Sequence, residues 1–75
     1  MSKIPLVSGK EAVKALRRLG FEFIRQKGSH VILCRETPDG KIGCVVPMHS
    51  EIQQGTLRGV LKQAKVELDA FRNVL

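Results

Sequence analysis

Between Ser8 and Gly20 the apolar residues Ala12, Leu16 and Leu19 return at i, i+4 and i+7, with Val13 beside them, the stripe of a helix with one buried face. Both ends of that stripe are marked. Ser8 and Glu11 have the spacing of a capping box, in which hydroxyl and carboxylate each take a backbone amide of the first turn. Gly20 suits the left-handed position that closes a helix, so the pattern predicts a helix over residues 9–19. Three runs with strand character follow, Phe21 to Gln26, His30 to Glu36 and Lys41 to Val46. Lys27-Gly28-Ser29 is a tight connection, and in Thr37-Pro38-Asp39-Gly40 proline presets φ while glycine permits a positive one. An antiparallel meander results, with Val31 and Leu33 on one face, Ile32 and Cys34 on the other, and Ile42, Cys44 and Val46 sharing a face.

Past Pro47 the chain leaves the sheet and a second helix begins between Ser50 and Thr56. Ser50-Glu51-Ile52-Gln53 offers another capping box, whereas Gly55 inside such a helix costs about 1 kcal/mol relative to alanine. Leu57, Val60, Leu61 and Ala64 supply its apolar stripe, and Leu68, Phe71 and Leu75 suggest a short terminal helix. The predicted class is α+β, an α-β-β-β-α order with a three-stranded antiparallel sheet covered by helices and a short C-terminal helix.

The chain has 75 residues with no repeat, linker or low-complexity tract, and reads as a single domain over residues 1–75. A domain of that size buries only about 60–65% of the surface its unfolded chain exposes, so the core is thin. Hydrophobic residues at 43% and charged residues at 27% are the mixture of a water-soluble globule. No run reaches the roughly 20 apolar residues of a membrane span, and the N-terminus lacks the order of a signal peptide, which makes the cytoplasm the expected compartment. Two cysteines, Cys34 and Cys44, are too few for a disulfide framework and are expected as thiols; a three-residue loop between their strands would set them opposite one another.

Charge narrows the partner class. Thirteen Lys and Arg against seven Asp and Glu give a net charge of +6, which attracts polyanions. Lys10, Lys14 and Arg17 fall at i, i+4 and i+7 of the first helix, and Arg58, Lys62 and Lys65 repeat the spacing on the second. Either stripe taken alone is equally an ordinary solvated face; two of them on so basic a domain point to nucleic acid. With no Trp, no Tyr and three Phe the chain lacks a stacking platform for single-stranded bases. Recognition of phosphate and 2′-hydroxyl by shape is left, the mode of domains that bind double-stranded RNA through a helix, three antiparallel strands and a helix.

His30, Cys34, Cys44 and His49 suggest zinc, but four positions along one strand put His30 and Cys34 about 13 Å apart, too far for one ion. No carboxylate cluster offers a magnesium site. Neither metal nor cofactor is therefore expected, and histidine is the natural candidate for chemistry. A neutral imidazole near pH 7 moves protons to and from ribose hydroxyl and leaving oxygen. Gly28 lets a phosphate backbone come close, and Ser29 donates to phosphate oxygens. The plain alternative is that Gly28-Ser29 is hairpin chemistry and His30 an incidental strand end. His49 is either an auxiliary acid, base or phosphate ligand, or an idle loop residue.

The chain resembles the HicA-type mRNA interferase toxins, the small partners of HicB antitoxins, over nearly its whole length. The matching features are Ser8-Gly9-Lys10-Glu11 before a Leu-rich helix ending in Leu19-Gly20-Phe21, Lys27-Gly28-Ser29-His30, Val46-Pro47-Met48-His49, and Gly55-Thr56-Leu57-Arg58 running into Leu61-Lys62-Gln63-Ala64. The resemblance implies a double-stranded-RNA-binding-like fold, cleavage of mRNA, a required histidine at His30, and an antitoxin that covers it. On this reading Gly28, Ser29 and His49 are auxiliary, Lys10, Lys14, Arg17, Lys27, Arg58 and Lys62 hold RNA, and Lys27 or Arg25 steadies charge on phosphate. A non-catalytic RNA-binding module of the same fold is the rival. The sequence departs from the family at Lys65, where a helix-ending glycine is usual, and at Val31-Ile32-Leu33, where an aromatic often follows the histidine.

Overall fold

The computed structural model describes residues 4–75; residues 1–3 of the expected domain lie outside the described residues. Helix α1 spans Gly9–Arg18 and starts as its sequence dictates. The Ser8 hydroxyl accepts from the Glu11 N–H at 3.1 Å and the Glu11 carboxylate from the Ser8 N–H at 2.9 Å. Leu19 ends the helix, and Gly20 follows with φ +99°. Phe21, the expected first strand residue, is instead a core side chain just ahead of the sheet.

Strands β1 (Glu22–Lys27), β2 (His30–Thr37) and β3 (Gly40–Pro47) form an antiparallel sheet in that order. Each predicted boundary holds to within a residue. The β1–β2 connection is the two residues Gly28 and Ser29, and Gly28 at φ +60° supplies the positive angle a type II′ hairpin needs first. Pro38 and Asp39 join β2 to β3, where the Thr37 hydroxyl accepts from the Asp39 N–H and donates to the Gly40 carbonyl at 2.7 Å.

Helix α2 covers Gln54–Ala64 with Gln53 as an N-cap that makes no side-chain bond, so the Ser50 box goes unused. A tertiary tie prevents it. The Ile52 N–H donates to the Val7 carbonyl at 2.8 Å and buries Ile52 completely, which holds residues 50–52 in a non-helical path. At the other end Lys65 takes the left-handed conformation itself, φ 56°, and the Val66 N–H donates back to the Leu61 carbonyl at 2.9 Å. The chain thus keeps the helix stop without a glycine, against a local cost of about 1–2 kcal/mol for a residue bearing Cβ. Helix α3, Leu68–Asn73, brings in Phe71 and stops short of Leu75, which is exposed.

The core lies on one side of the sheet. Val31 and Leu33 of β2, and Cys44 and Val46 of β3, meet Ala12, Ala15 and Leu16 of α1, Leu57, Val60, Leu61 and Ala64 of α2, and Phe71. No polar or charged side chain is buried among the described residues. On the opposite face Ile32, Cys34 and Val45 are at most partly covered.

The cysteines do not meet. With a loop of two residues rather than three, Cys34 pairs with Gly43 and Cys44 with Leu33, so the two thiols point to opposite faces. Burial, with a smaller contribution from the Cys34 charge, pushes the Cys44 thiol up to about 11 from 9.0. An alkylating reagent should therefore label Cys34 quickly and Cys44 only on unfolding, read by mass; equal rates would contradict this packing. The unfolded chain releases the Cys44 proton first, so this contribution to stability is intact below pH 9.0 and lost as pH rises through about 11. Denaturant titrations across that window should show a steeper fall for the wild type than for Cys44→Ala.

Candidate active site at the first hairpin

His30 is the first residue of β2, across from Lys27 in β1 and Pro47 in β3. Its direction is inherited from its neighbour. Because Val31 and Leu33 must face the core, side-chain alternation turns residue 30 to the uncovered face, where it is exposed. The imidazole has no hydrogen bond or ion pair with a described residue. Lys27 and Arg25 share this face, Arg25 standing across from Ile32.

The hairpin tip is tied down by the backbone. The Met48 N–H donates to the Ser29 carbonyl at 2.6 Å, and the Gly9 N–H, first of α1, donates to the His49 carbonyl at 2.9 Å. Residues 47–49 thus form a strap between the tip carrying His30 and the amino end of α1. Gly9 permits the strap to lie this close: a Cβ there would stand 2.5 Å from the Pro47 carbonyl oxygen and 2.6 Å from the Met48 Cα. Gly28 is different. Nothing lies within 4 Å of where its Cβ would be, so turn geometry alone asks for glycine. Its carbonyl accepts from Gln26 Nε2 at 3.0 Å.

The remaining candidate residues divide between two grooves. Lys10, Lys14 and Arg17 line an open groove of about 530 Å³ with Val13, Arg18 and Met48, so the α1 stripe reaches the strap beside His30. Arg58 and Lys62, with Lys65, line another of about 360 Å³ that shares no residue with the first. None of Lys10, Lys14, Arg17, Lys27, Arg58 and Lys62 forms an ion pair with a described residue. Ser29 and His49 are both exposed, and each bonds within the frame through its backbone carbonyl. No hydrogen bond joins the two imidazoles. His30 and Cys44 lie on opposite faces of the sheet, and no three His, Cys, Asp or Glu side chains among the described residues are grouped as metal ligands.

Gly9 and Arg18 were not candidates from sequence. The close approach at Gly9 is a tertiary contact, and its only sequence signal is a glycine where a helix begins. Arg18 adds a cation to the groove and donates from Nη1 to the Val74 carbonyl at 2.6 Å, which ties α1 to the C-terminal segment.

A family model described as HicA toxin of bacterial toxin–antitoxin matches residues 9–66, more than half of the chain. No curated protein matches it.

Two helical glycines should respond in opposite directions to the same added methyl. Gly9→Ala overpacks the strap and should cost about 1–3 kcal/mol. Gly59→Ala in α2 meets nothing within 4 Å and should leave stability unchanged or raise it by up to about 1 kcal/mol. Urea titration of both variants checks the pair, and equal effects would show that Gly9 is not held by close approach.

Proposed function

The chain belongs to the HicA toxin family of bacterial toxin–antitoxin systems, and from that premise we propose that it is an mRNA interferase: a cytoplasmic endoribonuclease that uses His30 without a metal ion and is neutralised by a HicB-type antitoxin. The observation that carries the reading is the standing of His30. It is exposed at a hairpin tip, across from Lys27 and next to a strap that also borders the basic groove of α1.

In this mechanism the RNA backbone lies along Lys10, Lys14 and Arg17 and crosses the tip. The His30 imidazole takes the proton from a ribose 2′-hydroxyl, and the 2′-oxygen attacks the adjacent phosphorus. The P–O5′ bond breaks, leaving a 2′,3′-cyclic phosphate on one fragment and a 5′-hydroxyl on the other. The imidazolium so formed, or water, returns a proton to the departing oxygen. Positioned proton transfer of this kind contributes about 10²–10⁴ in rate. Lys27, with Arg25 further along β1, offsets the charge that grows on the phosphate oxygens. Ser29 and the turn amides are donors at the same tip, and His49 is the auxiliary residue that contacts phosphate in this reading.

His30→Ala should lose cleavage by about 10²-fold or more while keeping its fold and its salt-dependent RNA affinity. Products from the wild type should carry cyclic phosphate ends and form in EDTA. Unchanged cleavage by the variant, a 3′-hydroxyl product, or loss of activity in EDTA would sink the mechanism. RNA bound by both proteins and cut by neither would make the chain a binding module.

Charge reversal separates the grooves. Lys10→Glu with Lys14→Glu should weaken RNA binding more than Arg58→Glu with Lys62→Glu, and should lower the slope of log K against log salt by about 0.7–0.9 for each phosphate no longer neutralised. Equal losses from both pairs would spread the RNA across both helices instead.

A further inference from the structure

The sheet closes one of its edges and leaves the other bare. Beside β3 lies α2, and Gln63 Oε1 accepts the outward Val45 N–H at 3.0 Å. Among the described residues no backbone hydrogen bond from outside the sheet reaches β1, and all of its residues are exposed. Those residues include Phe23, 48% exposed, and Ile24, 54% exposed. Phe23 stands across from the fully buried Leu33 and so points to the helix side, yet remains half exposed; the register shifts at Ile24. An open backbone edge flanked by large apolar side chains is a template for a further strand. It is a poor complement to phosphate, and the chain has no Trp or Tyr to stack a base.

Charge selects the strand. Arg25 and Lys27 outweigh Glu22 in β1, and the whole chain carries +6, so a second copy would bring one strongly basic domain against another and set one irregular edge against another. An acidic strand meets neither obstacle. We propose, resting on the toxin–antitoxin reading above, that β1 takes up an extended acidic segment of the antitoxin as a fourth strand of the sheet. Its apolar side chains pack on Phe23 and Ile24, and its carboxylates pair with Arg25 and Lys27. Lys27 is the residue across from His30, so the added strand ends one strand away from the imidazole and occupies the cation that RNA would otherwise use there.

Hydrogen–deuterium exchange on the toxin alone and on its complex with co-expressed antitoxin tests this. Exchange across residues 22–27 should slow about tenfold or more in the complex. Phe23→Asp with Ile24→Asp, both on exposed positions, should still cleave RNA and should bind the antitoxin at least about tenfold more weakly. A complex in which β1 exchange is unchanged overturns the proposal and leaves the ribonuclease reading intact. So does protection of residues 22–24, away from the basic end of β1, by RNA alone, which would make the edge an RNA contact, or by raised toxin concentration alone, which would make it a homodimer seam. If no complex forms while RNA is still cut, the partner assignment falls with the proposal and the catalytic reading stands.

Discussion

Two amides decide where His30 stands. One is the first N–H of α1, spent on the His49 carbonyl, and the other is the Met48 N–H, spent on the Ser29 carbonyl. A helix start normally leaves its first amides to a side chain or to water. Here one of them fastens the exit of β3, and that exit in turn fastens the tip of the first hairpin. Three segments far apart in sequence become one frame, and the missing Cβ at Gly9 is what lets them close. An exposed histidine on an unsupported hairpin would wander; this one is mounted on a backbone whose positions are fixed at both ends.

Much of that arrangement could be read along the chain because it is local. A serine three residues before a glutamate, a glycine at a turn needing positive φ, and Pro-Asp-Gly between two strand-like runs each encode a short-range bond or angle, and each appears where expected. His30 could be placed at the head of its strand for the same reason, and its outward direction follows from the alternation that buries Val31. What escaped is what depends on partners distant in sequence. The start of α2 is set by Ile52 and Val7, not by Ser50, and Lys65 adopts a conformation better suited to glycine because the helix must stop for Val66 to reach Leu61. The cysteine pairing turned on a single residue of loop length, too fine a quantity for composition to fix.

The basic residues complement this division. Lining cations are exposed, and none of the six proposed to hold RNA is neutralised by a described acidic neighbour. The Lys41–Glu36 pair, at 3.9 Å and largely solvated, contributes little to stability. Folding is carried by a small apolar core with no buried polar side chain among the described residues, while the surface field is left for a partner. Stability and recognition therefore draw on different residues, and charge reversals on the helices can alter the second with little effect on the first.

The alternation that exposes His30 has a further implication for control. Hiding the ring by an internal rearrangement would mean shifting β2 by one position, which would expel Val31 and Leu33 into water and draw polar side chains under the helices. So costly a slip leaves the fold without a dormant form of its own. On the proposed function, such a toxin is active from the moment it folds, and its restraint has to arrive from a separate molecule, in sufficient quantity and on time.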